Sequence, residues 1–323
     1  MDARHGGATG EPRDLSWSRT VPRELVHRVS VAEVLLTDVL RVDEEHFAAA
    51  ACWPRSHPTF PVDGPALHHP LLVVETLRQL GIFIPLRHFG VPADARLLIT
   101  DLLFTSEPAD QPRVGHGATE VTCRVRVTGV RTDGEGTVTA LRLDVRFLAG
   151  GVPFARAGGG ARFLSPERYA AVRRPLAPPR HRRTHVQRPD PAMLGLAHAR
   201  DLVVGLIGGP GQAGPEDPHR PAPPRSLVVD AADPLHPFFF DHPSDHVPGV
   251  VLLEAARQAA ALASGGTLLR PTGGRLAAPH FTEFSPAARI VCVPHHRTCV
   301  FRIEQLGQRC AFGVLHYASP HRV

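Results

Sequence analysis

Two long runs of apolar residues stand out from an otherwise mixed chain. The clearer one is His246-Val-Pro-Gly-Val-Val-Leu-Leu-Glu254-Ala-Ala-Arg257-Gln258-Ala-Ala. Pro248 and Gly249 form a turn where a helix can start, and no breaker follows, which predicts a helix from about Val250 to Ser264. Nearly every position in it is apolar, so it is expected to be wrapped on all sides. Only Glu254, Arg257 and Gln258 interrupt the run, and their i, i+3, i+4 spacing gathers them into one narrow polar stripe.

The other run repeats this text. His69-Pro-Leu-Leu-Val-Val-Glu75-Thr-Leu-Arg78-Gln79 carries the same stripe, and its flanks match as well: Trp53-Pro-Arg-Ser-His57-Pro parallels Asp233-Pro-Leu-His236-Pro. Glu75 and Glu254 are too far apart for a short-period repeat, so a duplicated domain is expected.

Around the helices the pattern shifts to period two. Thr122-Cys-Arg-Val-Arg-Val-Thr and Leu141-Arg-Leu-Asp-Val-Arg-Phe alternate as strands with one wet face do. Strands are expected at Val26–Leu36, Phe47–Cys52, Arg96–Phe104, His116–Arg131, Thr137–Ala149 and Val152–Leu164, with the first helix ending near Pro85. In the second half they are expected at Asp201–Ile207, Leu227–Ala232, Arg275–Phe284, Arg289–Pro294, Thr298–Gln305 and Arg309–Tyr317. The resulting division is a disordered tail at 1–20, a first unit at 21–164, a Pro- and Arg-rich linker at 165–193 and a second unit at 194–323. The class is α+β, each unit being one buried helix followed by an antiparallel meander. Pairing edge to edge, the units would form one sheet curling around two central helices.

Composition narrows the chemistry. The 323 residues, 43% of them hydrophobic, suffice for two cores. Net charge is +5 and comes entirely from Arg, since the chain contains no Lys, so Schiff-base and P-loop lysines are excluded. Apart from a cluster at Arg180–Arg188 the Arg residues are scattered, which fits an anionic small substrate better than nucleic acid. No apolar run reaches membrane-spanning length, the N-terminus lacks a signal-peptide core, and five Cys form no disulfide framework. A reduced cytoplasmic protein is expected. Gly209-Pro-Gly-Gln-Ala-Gly214 matches a dinucleotide motif, but Pro215 and Pro218 follow where a helix must start. Cys292-Val-Pro-His295-His296-Arg-Thr-Cys299 offers four zinc-ligand types, yet reads better as a hairpin turn between two strand cysteines, and no metal is expected.

The long buried helix behind a His/Pro/Gly loop, carrying Glu-Ala-x-x-Gln, resembles the hotdog fold. Ser30–Asp38, Trp53–Pro58, Leu71–Gln79 and above all Asp241-His-Pro-Ser-Asp-His-Val-Pro-Gly-Val-Val-Leu-Leu-Glu-Ala-Ala-Arg-Gln resemble the A-factor biosynthesis hotdog family, the γ-butyrolactone autoregulator synthases. The resemblance covers both halves. It implies an acyltransferase that joins a β-ketoacyl group, carried on acyl carrier protein, to the hydroxyl of dihydroxyacetone phosphate, without metal or redox cofactor. The internal pair implies a monomer holding its own pseudo-dimer, or a homodimer.

Such a transfer needs a base, donors for an oxyanion and a cationic site for phosphate. Glu254 and Arg257 are expected to carry it, with Glu75, Arg78 and His242 contributing. The carboxylates serve as bases if burial raises their pKa, and amides near Gly249 serve as oxyanion donors. His246, Gln258, Gln79, His57 and Asp63 are expected to line the substrate site. By analogy with hotdog dehydratases, His242 would face Glu75 across the pair, and His57 or Asp63 would face Glu254. The second half is favoured because its loop holds the fuller motif. Three alternatives stand beside this: each Glu–Arg pair merely neutralises itself; the protein is a 3-hydroxyacyl dehydratase or thioesterase; or it is an inactive acyl-binding relic.

Overall fold

The computed structural model describes residues 14–55, 57–60, 67–173, 186–208 and 226–318. Both apolar runs form helices, α1 (Leu71–His88) and α3 (Gly249–Ala263), with a short α2 (Pro166–Val172) between them. The second lies within one residue of its expected span. The first outlasts Pro85, because a proline in the last turn forfeits only one hydrogen bond, to the Gly81 carbonyl, and the following apolar residues still have a core to enter. No helix among the described residues is long and apolar enough to cross a membrane.

Six strands belong to the first half: β1 (Leu36–Arg41), β2 (His46–Trp53), β3 (Arg96–Ser106), β4 (Thr119–Thr132), β5 (Val138–Ala149) and β6 (Val152–Leu164). Six belong to the second: β7 (Val204–Ile207), β8 (Ser226–Val229), β9 (Pro271–Ala277), β10 (Ala288–His295), β11 (Thr298–Gln305) and β12 (Gln308–Tyr317). They form one sheet in the order β1-β2-β4-β5-β6-β3-β9-β12-β11-β10-β8-β7. The order reads the same from either end under duplication, so the α+β expectation of two helix-plus-sheet units joined edge to edge holds. The seam is β3 against β9, antiparallel from Asp101↔Ala277 to Thr105↔Gly273. A simple meander does not hold, since β3 crosses beyond β6 to reach that seam.

Both halves bury their apolar faces in one continuous core around α1 and α3. At Gly159 a Cβ would sit 2.5 Å from the Asp101 carbonyl oxygen, so β6 can pass β3 here only with glycine.

Several expected strands begin late or end early. Val26–Leu36 is mostly two 3-10 turns (Arg23–Val26 and Val31–Glu33) before β1, and Asp201–Ile207 likewise opens with a turn (Ala199–Asp201) before β7. Their backbone groups are taken by helix side chains. Arg275–Phe284 stops at Ala277 because the following loop is held by Gln305, which bonds the Glu283 N–H and carbonyl. Cys292 and Cys299 lie on a β10–β11 hairpin, opposite Phe301 and Pro294. Residues 1–13, most of the Arg180–Arg188 cluster and Gly209–Gly214 lie outside the described residues.

Candidate active site

An isolated carboxylate on a buried helix would be protonated, so the surroundings of Glu75 and Glu254 decide their chemistry. On α1, Glu75 is fully buried and accepts hydrogen bonds from Arg78 Nε (2.8 Å) and Nη2 (2.9 Å), Gln79 Nε2 (2.7 Å) and Arg28 Nε (3.1 Å). Burial raises the carboxyl, but Arg28, Arg78 and these hydrogen bonds outweigh it and hold it down to about 2. The expectation of a base with raised pKa is corrected for Glu75: the carboxylate stays ionised and its oxygens are already bonded.

The rest of the stripe reaches backbone. Gln79 accepts from the Leu35 and Leu36 N–H groups and donates to the Glu33 carbonyl, while Arg78 Nη2 donates to the Val26 carbonyl. These are the groups that keep the preceding segment out of the sheet. On α3 the same pattern recurs. Arg257 donates to Glu254 through Nε (2.8 Å) and Nη2 (2.6 Å), and through Nη1 to the carbonyls of Leu194 (2.9 Å) and Leu269 (3.1 Å). Gln258 donates to Glu254 and the Asp201 carbonyl and accepts from the Val203 N–H.

Two differences separate the copies. Arg28 sits where the second half has Leu196, as the matching 3-10 turns on either side show. Its Nη1 donates to the Phe238 carbonyl at 2.8 Å and lies 4.0 Å from Asp241, tying the α1 stripe to the loop before α3. The helix N-termini also differ. On α1 the Leu71 N–H is capped by His69 Nδ1 at 3.2 Å, and burial, with Arg257 and Arg270 nearby, keeps that imidazole neutral. On α3 the Val251 and Leu252 N–H groups bond the Pro248 carbonyl, and Pro248 provides no side-chain cap. The Gly249 and Val250 amides head the helix without an intrahelical acceptor.

A cavity of about 340 Å³ opens at that uncapped end, lined by His27, Arg28 and Arg78 from the first half and His242, His246 and Gly249 from the second. An apolar recess of about 50 Å³ continues from it past Arg78 and Val250, between α1 and the sheet, along Val74, Leu77, Gly81, Leu141 and Leu143. Arg78 Nη1 takes part in none of the bonds above, and the side chain stays 15% exposed where Arg257 is 4%. Burial first, then Arg78 and Arg28, lower the pKa of His242, against the pull of Asp241 and Glu75. That imidazole is neutral at neutral pH. The arrangement provides amide donors, one spare guanidinium edge, the neutral His242 imidazole and an apolar slot side by side.

The sequence-predicted residues are distributed unevenly. Arg78, His242, His246 and Gly249 meet at the cavity, with Glu75 and Gln79 behind Arg78. Glu254, Arg257 and Gln258 form a closed buried cluster. His57 bonds Glu33 at 3.2 Å, as His236 bonds Asp201 at 2.9 Å, and stacks on Phe60, so it braces the loop before α1 rather than facing Glu254. Asp63 lies outside the described residues. Arg28 escaped the sequence reading; its signal was a lone charge at a position where the other half carries leucine.

The chain is similar to known proteins over most of its length. The family model described as "A-factor biosynthesis hotdog domain" matches residues 10–165 and 217–278. A Streptomyces virginiae protein named 2-oxo-3-(phosphooxy)propyl 3-oxoalkanoate synthase is 35% identical over 89% of this chain and 88% of its own length. The Streptomyces griseus protein of the same name is 31% identical, covering 81% of each chain. Among solved structures, an acyl-ACP thioesterase from Bacteroides thetaiotaomicron aligns over 84% of this chain and 98% of its own at 9% identity, with a TM-score of 0.48. With its two tandem helix-plus-sheet units, the chain belongs to the A-factor biosynthesis hotdog family.

Proposed function

We propose that this protein transfers a β-ketoacyl group from a thioester on acyl carrier protein to the hydroxyl of dihydroxyacetone phosphate, which would form the 2-oxo-3-(phosphooxy)propyl 3-oxoalkanoate that its Streptomyces relatives are named for. The observation that carries the reading is the cavity shared by the two halves, where uncapped α3 amides, the free edge of Arg78 and an apolar slot converge. The acyl chain occupies the recess along Leu77, Gly81 and Leu143. The Gly249 and Val250 N–H groups receive the oxyanion as the hydroxyl oxygen adds to the thioester carbon. Arg78 Nη1, beside the neutral N–H of His242, holds the acceptor's phosphate. The C–S bond breaks, the thiol leaves and the ester remains. No electrons are exchanged, so the reaction calls for no redox cofactor.

On this reading the working site is the α1 stripe with the α3 N-terminus, and Glu254 with Arg257 is its closed, structural copy. The test is mass spectrometry of products after mixing the protein with a β-ketoacyl thioester and dihydroxyacetone phosphate. The acylated phosphate ester, or its cyclised butenolide, is expected. Free acid or enoyl product alone would move the protein to the thioesterase or dehydratase class, and no product at all to an acyl-binding relic.

A further inference from the structure

The helix α2 lies in the stretch that joins the two halves, yet it docks on the cavity wall. Tyr169 donates its hydroxyl hydrogen to the Asp245 carboxylate, at 2.7 Å from Oδ1 and 2.9 Å from Oδ2. From Arg173, just past the helix, Nε donates to Asp245 Oδ2 at 3.2 Å and Nη2 to the Asp245 carbonyl at 2.8 Å, while its guanidinium pairs with Glu283 and covers the Phe281 ring. Asp245 Oδ1 in turn lies 2.7 Å from His246 Nδ1. Phe281 packs edge-on against both the His246 and Tyr169 rings, and Ser244 Oγ donates to the His246 carbonyl. One imidazole on the cavity wall is thus fixed in position, with its Nδ1 turned to the Asp245 carboxylate.

We infer that His246 is the base of the acyl transfer and that α2 is its positioning element, with Asp245, Tyr169 and Arg173 holding the imidazole for the acceptor hydroxyl. The inference rests on the acyltransfer reading and names the group that reading needs. With Nδ1 carrying its hydrogen toward Asp245, Nε2 keeps the lone pair. As the acceptor oxygen bonds to the thioester carbon, its proton passes to Nε2. When the C–S bond breaks, the same proton goes to the departing sulfur, and His246 is regenerated.

His242 is less suited to the role. Burial and the two guanidiniums of Arg78 and Arg28 oppose the positive charge it would acquire. His246 has instead a carboxylate at its back. Burial raises Asp245, but the bonds from His246 and Tyr169 and the charge of Arg173 hold it down to about 2, so an anion is in place to stabilise the imidazolium. The base also stands three residues before Gly249, on the same loop as the amides assigned to the oxyanion.

The test uses the full chain, a β-ketoacyl N-acetylcysteamine thioester and dihydroxyacetone phosphate, with ester formation as readout. His246→Ala is expected to lower kcat by roughly 100-fold or more, as loss of a general base does, and added imidazole to restore part of it. Asp245→Asn is expected to lower kcat at least about 10-fold, and Tyr169→Phe several-fold, both with KM for either substrate and the urea midpoint unchanged; a purely structural contact would move the midpoint instead. Retention of wild-type kcat by His246→Ala, or imidazole rescue of His242→Ala in its place, would overturn the assignment while leaving acyl transfer standing. A wild-type protein that forms no ester would overturn the proposed function and this assignment with it.

Discussion

Arg257 is buried, and the bonds it makes go to Glu254, Leu194 and Leu269. A guanidinium used in that way anchors a turn and has little left for a substrate. Replacing Glu254 by Gln leaves this buried cation without its counter-charge, a change that costs about 3–5 kcal/mol when one partner of a buried pair is lost. Urea denaturation of Glu254→Gln should show a loss of that size, with turnover per folded molecule preserved; wild-type stability together with lost turnover would restore Glu254 to the chemistry. Much of this was legible at the residue scale: the stripe, its spacing and the Glu–Arg pairing alternative follow from the helix period. The contrast between an open and a closed stripe was legible only in part. The fuller motif before α3 is written in the sequence, but Arg28, distant in sequence from Glu75, gives no sign there that it joins the α1 cluster.

At the scale of elements, both helices and most strands follow from periodicity, because their backbone groups are satisfied locally or by regular neighbours. The errors cluster where side chains from α1 and α3 capture backbone, as Gln79 does at Leu35 and Leu36. No window of sequence reports a partner of that kind. The helix α2 did carry a signal, Ser165 before Pro166 and Glu167, and Ser165 Oγ indeed accepts from the Arg168 N–H; its Pro- and Arg-rich surroundings pointed to a linker instead. The assignment of the apolar recess to the acyl chain makes a prediction here. A Cβ added at Gly81 meets nothing nearer than Leu143 Cδ1 at 3.8 Å, so Gly81→Leu can be accommodated and fills the slot. Helix propensity should raise stability by roughly 0.5–1 kcal/mol, while the preferred substrate shifts to shorter acyl chains. Turnover measured across a series of chain lengths checks this, and an unshifted preference would place the chain elsewhere.

Across the whole molecule, duplication has produced one sheet and one core but two unlike ends. The fold was legible because the repeat is written in the sequence; the seam at β3 and β9 was not, since Leu102 and Leu276 meet only after β3 crosses beyond β6. Integration of the halves also gives the protein a common acid sensitivity. Burial, reinforced at His27 by Arg78, His242 and Arg96, lowers His27 and His68 to about 4, and Glu75 is held down to about 2. All three shifts are depressions. The histidine contributions are complete above about pH 6.5 and are lost as pH falls through about 4, because the unfolded chain takes up protons first; the Glu75 contribution is lost between about 4.5 and about 2. Urea midpoints should therefore fall steadily from pH 7 to pH 4, and a flat profile over that range would contradict the buried, neutral histidines.

Under the proposed function, only one of the two duplicated sites accepts substrate. Calorimetric titration of the full chain with a non-hydrolysable β-ketoacyl thioester analogue, a methylene replacing the sulfur, tests it most directly. One analogue bound per chain, lost on Gly249→Pro or Arg78→Ala but retained in folded Glu254→Gln, is the predicted result. Two equivalents per chain, or one that disappears with Glu254→Gln alone, would contradict it.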